Sequence, residues 1–305
     1  HLLLHEGTHA FMTKFLGGCG PGWYSEGMAE LLGTHRLDSE KGKLTLNVMP
    51  RDRREVPMLG RIKLLRDAVA ENHALGLPAV MELDNRRQLG NEAYAWCWAA
   101  AKFLDSHPRY RERFRGLQKH VQDPKFNDVV RREFADDWDE LEAEWQAYVA
   151  TLEHGCDFER MAIEFEQGKP LSRQQREVAI AADRGWQSLG VWLKAGKTYR
   201  VTARGRFQIA VENGVAWPCE PGGVTIEYHD GRPLGMLLGA IFEGGRGKEE
   251  GGGSESGGAS FAKPQAIGLA CEITPEVSGT LYLRVNDSAA RLSDNRGALT
   301  IAVED

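Results

Sequence analysis

The sequence predicts an α+β protein of more than one domain, in which a mainly helical N-terminal part precedes an all-β sandwich. Apolar residues recur at helical spacing up to about residue 150, and from about residue 177 they alternate with polar residues at the period of a strand. The length of 305 residues suits two domains of ordinary size. We therefore expect a helical domain over residues 1–153, a polar linker over 154–176 and a β domain over 177–305.

Three segments of the N-terminal part have the pattern of a helix. Residues 58–72 place Ile62, Leu65 and Val69 on one face, and residues 93–104 are apolar almost all round, as in a buried helix. Residues 136–149 open with acidic side chains, which favour the beginning of a helix. Between them and the first motif, residues 43–48 alternate and predict a short strand.

The C-terminal part contains several short alternating segments separated by turn residues, the pattern of a small β-sandwich. Strands are predicted over residues 191–193, 198–203, 207–211, 224–228, 268–273, 280–285 and 298–303. Within this part, residues 243–260 are rich in glycine and almost free of apolar side chains, which predicts a mobile low-complexity loop.

Composition excludes several classes of function. There are 44 acidic against 38 basic side chains, so the net charge of −6 argues against a protein that binds nucleic acid. No apolar run is long enough to span a membrane. The five cysteines are scattered without a CxxC spacing, which argues against a thiolate zinc site. A Cys219–Cys271 disulfide and five free thiols remain alternatives.

The first motif is His5-Glu6-Gly7-Thr8-His9, an HExxH sequence. On a helix, residues four apart share a face, so both imidazoles can reach one metal ion while Glu6 lies beside it. Apolar residues on both sides of the motif favour a helix here. The motif predicts a zinc site with His5 and His9 as ligands.

The next segment has the pattern W-x-x-E-G-x-A, formed by Trp23, Glu26, Gly27 and Ala29. Together with HExxH it resembles the gluzincin metallopeptidases, in which the glutamate of this pattern is the third zinc ligand. The resemblance extends to about residue 150 and implies that Glu26 binds Zn²⁺. The glycine-rich segment over residues 17–22 suits a tight reversal between the two motifs.

Two further residues take roles from the same resemblance. Glu30 lies one helical turn beyond Glu26 and would accept a hydrogen bond from His5, the alternative being a solvated carboxylate. Tyr94 would donate a hydrogen bond to the oxyanion, the alternative being packing in the core. The other histidines have no metal-ligand spacing and are expected to be exposed or locally bonded.

These residue types suit hydrolysis. Two imidazoles and one carboxylate leave an open zinc position for water, and Glu6, which is not a ligand, can accept a proton from that water and pass it to a leaving amine. In zincins a sheet from the upstream chain packs on the first helix, and the sequence begins at His1 without it. We therefore expect a missing N-terminal segment and incomplete cover for Leu2, Leu3 and Phe11.

A second group of polar residues lies near the C-terminus, where Asn286-Asp287 and Asp294-Asn295 stand between two predicted strands. Oxygen-rich side chains in such a loop suit Ca²⁺, although the same composition is common in ordinary turns.

The wider pattern over residues 186–303 resembles the bacterial galactophilic calcium lectins; the matching segments are residues 193–205, 237–241 and the loop itself. The resemblance implies that calcium is bound by the side chains of Asp287, Asp294 and Asn295 and by the carbonyl oxygens of Arg291 and Ile209. Sugar hydroxyls would complete the coordination. The family usually has Asn where Asp294 stands, and residues 212–221 do not reproduce its His and Gln sugar contacts, so a purely structural sandwich is the alternative.

The sequence thus predicts a zinc metallopeptidase that acts on protein or glycoprotein substrates, is tethered by a glycan-binding module, and is secreted, periplasmic or exposed at the cell surface. The alternative is a carbohydrate- or surface-binding adhesion protein whose zincin domain is catalytically degenerate. A third hypothesis gives zinc a purely structural role. The presence of Glu6 favours the enzyme, because a structural site has no need of a carboxylate that does not bind the metal.

Overall fold

The computed structural model describes residues 1–55, 60–84, 90–171, 176–244 and 259–305 of the chain. It combines helices with several β-sheets, which is the predicted α+β mixture, and it divides into two compact units, His1–Phe158 and Glu159–Asp305. Parts of three predicted segments lie outside the described residues: 58–59 of the first helix, 172–175 of the linker, and 245–258 of the glycine-rich loop.

The first unit is mainly helical. Its helices are α1 (Leu2–Phe11), α2 (Gly22–Gly33), α3 (Arg61–Ala70), α4 (Leu77–Met81), α5 (Asn91–Ser106), α6 (Arg111–Gly116), α7 (Phe126–Glu133) and α8 (Trp138–Thr151). A π-helical segment, Met12–Leu16, continues α1, and 3-10 turns occur at Leu117–His120 and Ala135–Asp137. One antiparallel hairpin joins β1 (His35–Asp38) to β2 (Lys43–Leu46).

The three predicted helices are confirmed as α3, α5 and α8, and the predicted strand is confirmed as β2. The strand β1 was not predicted, because the burial of its residues does not alternate. Helix α1 leaves its outer side exposed, as Leu2, Leu3 and Phe11 show with relative exposures of 70%, 85% and 54%. None of the helices in the described part of the chain is long and apolar enough to cross a membrane.

Helix α2 lies in the interior of this unit and positions the first candidate site. Its Trp23 side chain is fully buried and donates from Nε1 to Asn127 Oδ1 at 2.9 Å, which fixes the first turn of the helix. Helix α5 packs directly against α2 at Gly27, where a Cβ atom would lie 2.7 Å from the Cys97 carbonyl oxygen. The glycine that follows Glu26 is therefore required by this close helix–helix contact.

The second unit consists of two facing sheets and a hairpin. Its strands are β3 (Lys169–Pro170), β4 (Arg176–Ala181), β5 (Gln187–Leu193), β6 (Tyr199–Arg204), β7 (Phe207–Glu212), β8 (Val215–Cys219), β9 (Gly222–His229), β10 (Arg232–Phe242), β11 (Gln265–Ala266), β12 (Ala270–Ile273), β13 (Gly279–Val285) and β14 (Ala298–Glu304). Two short helices, α9 (Phe158–Met161) and α10 (Ala259–Ala262), and a 3-10 turn at Leu292–Asp294 complete the described elements.

One sheet has the strand order β11-β10-β13-β5-β3, with β9 paired to β10, and the other has the order β12-β6-β14-β4. Strands β7 and β8 form a separate antiparallel hairpin. Apolar side chains of both sheets share one buried core; they include Leu189, Val191, Leu281 and Leu283 from the first sheet and Val201, Leu299, Ile301 and Val303 from the second. The C-terminal part thus consists mainly of β-sheets that share one core, with a few short helical segments.

The seven predicted strands are confirmed within their ends, but β3, β4, β8, β10 and β11 were not predicted. Strand β10 pairs with β13 on one side and with β9 and β11 on the other, and most of its residues are buried. Such a strand has no polar face and so shows no alternation in the sequence. The five cysteines are free thiols, so the Cys219–Cys271 disulfide is not formed.

Candidate functional site

The HExxH motif lies on α1, and the tight reversal that follows brings α2 back against it. The π-helical segment ends at Gly17, whose φ of 76° is the left-handed conformation that glycine adopts without strain. Helix α2 then begins at Gly22 after Pro21, so that Glu26 and Glu30 follow in its second and third turns. The two helices thereby place the histidines of one motif opposite the glutamates of the other.

Three ligand atoms converge on one point. His5 Nε2 and His9 Nε2 are 3.2 Å apart, and each lies 3.4 Å from Glu26 Oε2. Ligand atoms bound at ordinary distances to a tetrahedral zinc ion lie about 3.3–3.6 Å from one another. The spacing of the three atoms therefore fits one zinc ion, with a fourth position left for water or substrate.

The carboxylate of Glu26 is otherwise poorly satisfied. Its Oε2 atom is buried and makes no hydrogen bond of acceptable geometry, although both imidazoles are 3.4 Å away. Burial alone would raise the pKa of Glu26, but the contacts with His5 and His9 outweigh it and lower the pKa to about 2. A buried, fully ionised oxygen between two imidazole nitrogens is a donor set suited to a cation.

Each histidine is oriented through its other ring nitrogen by a residue of α2. His5 Nδ1 lies 3.0 Å from Glu30 Oε1, and His9 Nδ1 lies 3.2 Å from Ser25 Oγ. When the Nε2 atoms bind a metal, both Nδ1 atoms carry the proton and donate to these oxygens. Helix α2 thus places Glu26 within 3.4 Å of both Nε2 atoms and provides two residues, Ser25 and Glu30, that hold the imidazoles.

Glu30 is 2% exposed and also contacts His1 and Arg61. Its Oε2 atom lies 3.2 Å from His1 Nε2 and forms an ion pair with the Arg61 guanidinium. Among the described residues, His1, His5 and Glu30 form a second group with metal-ligand spacing. The permanently charged guanidinium already neutralises Glu30, so a second cation would be repelled there. Of these two groups, the one formed by His5, His9 and Glu26 is the better suited to a metal ion.

The two remaining predicted residues lie close to this group. Glu6 is exposed on α1 and belongs to neither group with metal-ligand spacing in the described part of the chain. The Tyr94 ring on α5 is half-buried, with its centroid 6.2 Å from that of His5. Burial, and next the negative charges of Glu26 and Glu30, raise the pKa of Tyr94, so its hydroxyl keeps its proton and can donate.

Zinc binding at pH 7 is expected to release at least one proton per ion. In the metal-free protein the carboxylates of Glu26 and Glu30 raise the pKa of His5 from 6.5 to about 9, and a zinc ligand has to be deprotonated. Isothermal titration calorimetry in two buffers with different ionisation heats counts these protons. The number of protons that His5 releases falls as the pH rises through 9. A heat of zinc binding at pH 7 that is the same in both buffers would contradict the assignment of His5 as a ligand.

The second group of predicted residues lies in the loop between β13 and β14. Asp287 and Asn295 are buried, and Asn295 Nδ2 donates to Asp287 Oδ2 at 2.8 Å. The loop is tied to β7 by a reciprocal backbone pair, in which Gln208 N donates to Arg296 O at 2.9 Å and Arg296 N donates to Gln208 O at 3.1 Å. Ile209 follows at a register shift of β7, so its strand position is next to this loop.

Several oxygens of this loop are buried without a hydrogen bond. Asp294 Oδ1 and Asn295 Oδ1 have no hydrogen-bond partner among the described residues. Burial raises the pKa of Asp287, although its contacts with Asn295 and Ser288 act in the opposite direction. Unsatisfied carboxylate and amide oxygens next to a buried carboxyl group suit a hard cation such as Ca²⁺.

The remaining predicted calcium ligand, Arg291, lies in the same loop. Its carbonyl oxygen accepts a hydrogen bond from Asp294 N at 3.2 Å, and a carbonyl oxygen has a second lone pair for a cation. Its guanidinium is held away by Glu227 Oε1 at 2.8 Å. The structure thus brings Asp287, Asp294, Asn295 and Arg291 into one loop beside the β7 bulge.

Sequence reasoning missed Ser25 and Arg61. The signal for Ser25 was its position directly before Glu26, on the turn of α2 that faces His9. Arg61 carried no local signal, because it reaches Glu30 from α3, which begins after residues 56–59 that lie outside the described chain. His1 was expected to be exposed or locally bonded and to lack metal-ligand spacing, but it contacts the distant Gly33 carbonyl oxygen, 3.1 Å from its Nδ1 atom, and groups with His5 and Glu30 at metal-ligand spacing.

Comparison with known proteins finds no family model and no curated protein that matches the chain. Among solved structures, one similar chain is described as "EclA N-terminal domain; PllA-like lectin". The similarity covers 42% of this chain and 92% of that chain, with 21% sequence identity and a TM-score of 0.29. At that TM-score it carries no argument about the fold or the function of this chain.

Proposed function

We propose that the helical unit is a zinc-dependent hydrolase of peptide bonds. The observation that supports this best is the convergence of His5 Nε2, His9 Nε2 and Glu26 Oε2 at mutual distances of 3.2–3.4 Å. Three ligands of this kind are typical of a catalytic rather than a structural zinc site, because the fourth position stays open. Zinc bound there would supply a Lewis acid that makes water acidic enough to lose a proton near neutral pH.

The residues around the metal position have the functions that amide hydrolysis requires. Glu6 accepts the proton of the attacking water and transfers it to the departing amine, since it follows His5 on α1 and belongs to neither group with metal-ligand spacing among the described residues. The ring centroid of Tyr94 lies 6.2 Å from that of His5. The hydroxyl of Tyr94 donates a hydrogen bond to the oxygen on which negative charge develops. Glu30 and Ser25 keep the two imidazoles oriented toward the metal.

Metal dependence is the test of this proposal. Hydrolysis of a quenched fluorescent peptide library is measured for the untreated chain, after removal of metal with 1,10-phenanthroline and dialysis, and after return of one equivalent of zinc. We expect activity to be lost and then restored. Cleavage that survives complete metal removal would contradict the proposal.

A second function is supported for the β unit, namely calcium-dependent binding of carbohydrate. The observation behind it is the pair of buried, unpartnered oxygens, Asp294 Oδ1 and Asn295 Oδ1, beside Asp287. In this proposal the sandwich tethers the hydrolase to glycosylated proteins outside the cytoplasm. A glycan array with and without a chelator tests it, because retention that does not depend on calcium would contradict a calcium-bridged sugar.

Calcium is expected to raise the melting temperature of the β unit in the wild type and to have no effect in Asp287→Ala. At one hundred times the Kd, a bound ligand stabilises a fold by about 2.7 kcal/mol, which corresponds to several degrees for a unit of this size. Differential scanning fluorimetry with calcium or EGTA measures the shift. Glu276→Ala, an exposed carboxylate outside the loop, is the matched control and should keep the full shift.

The adhesion alternative makes a different prediction for the helical unit. A catalytically degenerate zincin domain would bind zinc through His5, His9 and Glu26 and would show no zinc-dependent cleavage with any peptide. A purely structural zinc would in addition be required for folding, so metal removal would abolish the helical circular dichroism signal. Helix α2 packs on α5 at Gly27, which is not a metal ligand, and we expect the fold to persist without zinc.

A further inference from the structure

We infer that Arg61 is a positioning residue of the zinc site, which acts on the first ligand, His5, through Glu30. This inference rests on the zinc site proposed above. Arg61 is 4% exposed and is joined to the site by its ion pair with Glu30. Its effect on the metal would therefore pass through one intervening carboxylate.

The contact is set by the beginning of α3. Gly60 caps this helix with a φ of 73°, and Arg61 is its first residue. The guanidinium forms an ion pair with Glu30 Oε2, while the other oxygen, Oε1, lies 3.0 Å from His5 Nδ1. One carboxylate is thus held from both ends: Arg61 and, at 3.2 Å, His1 Nε2 contact Oε2, and the ring of His5, the proposed metal ligand, contacts Oε1.

Charge explains why the guanidinium is needed. Glu30 is 2% exposed, and an ionised carboxylate at that depth requires a positive partner. A histidine that binds zinc is neutral and cannot provide it. Arg61 remains charged under all conditions and holds Oε2, which leaves Oε1 in one fixed orientation toward His5.

Removal of Arg61 is expected to disorder that orientation and to weaken zinc binding. Outer partners of metal-bound histidines typically change metal affinity by about 10–100-fold. We therefore expect Glu30→Gln and Arg61→Met each to lower zinc affinity by this amount, and Arg61→Lys, which keeps the charge, to recover part of it. Because both residues act through the same contact, the double variant Arg61→Met/Glu30→Gln should bind zinc no more weakly than Glu30→Gln alone.

The experiment measures zinc affinity by competition with a chromophoric chelator, and the visible absorption spectrum of the Co²⁺-substituted protein. Arg66→Met, an exposed arginine on the same helix, is the matched control and should match the wild type in both. A change in the Co²⁺ spectrum of Arg61→Met reports altered coordination, which a loss of fold stability alone would not produce. Circular dichroism checks that each variant is folded.

Three outcomes decide the inference. The inference is overturned if Arg61→Met has the zinc affinity and the Co²⁺ spectrum of the wild type. It is also overturned if the loss of zinc affinity in the double variant equals the product of the losses in the two single variants. If Arg61→Met fails to fold, Glu30→Gln is compared with the double variant, in which both buried charges are removed. A double variant that binds zinc more weakly than Glu30→Gln then overturns the inference. A wild type that binds no zinc overturns the proposed site itself and is thereby distinguished from failure of this inference alone.

Discussion

Replacement of Glu6 by glutamine is expected to leave the zinc content of the chain unchanged and to lower peptide hydrolysis by about 10²–10⁴-fold, the usual contribution of a positioned general base. The amide keeps the size of the side chain and cannot accept the proton. Glu6 belongs to neither group with metal-ligand spacing among the described residues, so the substitution should not disturb metal binding.

The measurement compares initial rates on the fluorescent peptide library at equal zinc content. Glu40→Gln, an exposed glutamate in the turn between β1 and β2, is the matched control and should retain full activity. Undiminished cleavage by Glu6→Gln would place the hydrolytic base elsewhere. Loss of zinc together with activity would mean that Glu6 is a ligand, which contradicts its assigned role.

Replacement of both His5 and His9 by alanine is expected to abolish tight zinc binding. Two of the three converging atoms disappear, and Glu26 alone cannot hold the ion against water. Plasma emission spectroscopy after exhaustive dialysis should find about one zinc per chain in the wild type and none in the double variant. The result would be the largest change in metal content that any pair of substitutions can produce here.

A matched pair of histidines controls for nonspecific effects. His73→Ala/His120→Ala removes two histidines that belong to neither group with metal-ligand spacing in the described chain, and it should keep the wild-type zinc content. If His5→Ala/His9→Ala kept its zinc while remaining folded, the metal would be bound elsewhere and the proposed hydrolase would lose its centre.

Much of the helical site could be predicted from the sequence because its essential spacings are local. The four-residue separation of His5 and His9 places both on one helical face, and the same argument relates Glu26 to Glu30. The prediction that the two motifs form one site came from the resemblance to the gluzincins and not from the residues alone. The structure brings these side chains together, whereas their roles in metal binding and catalysis remain predictions.

The contacts that complete the site could not be predicted, because they depend on tertiary packing. Arg61 approaches Glu30 from a separate helix, and no periodicity in the sequence relates two residues so far apart. Ser25 was overlooked for a different reason: a serine next to a catalytic motif is common, and only the geometry shows that its hydroxyl faces His9 Nδ1. The tight contact at Gly27 likewise depends on where α5 lies.

In the β unit, alternation predicted the strands that have one polar face and missed those that do not. Strand β10 pairs with neighbours on both edges and is largely buried, so its sequence reads as a continuous apolar run. Strand β8 was missed because its proline and exposed residues resemble a loop. The loop that carries Asp287 and Asn295 was correctly placed between two strands, since the sequences of β13 and β14 both place apolar residues at every second position, although all of β13 is buried.

X-ray absorption spectroscopy at the zinc edge is the most direct test of the proposed metal centre. We expect a first shell of nitrogen and oxygen atoms at about 2.0–2.2 Å, with the outer scattering pattern of two imidazole rings and no sulfur. A sulfur neighbour at about 2.3 Å would instead implicate a cysteine and contradict the assignment of His5, His9 and Glu26. The same contradiction would follow from an unchanged spectrum in the His5→Ala/His9→Ala variant.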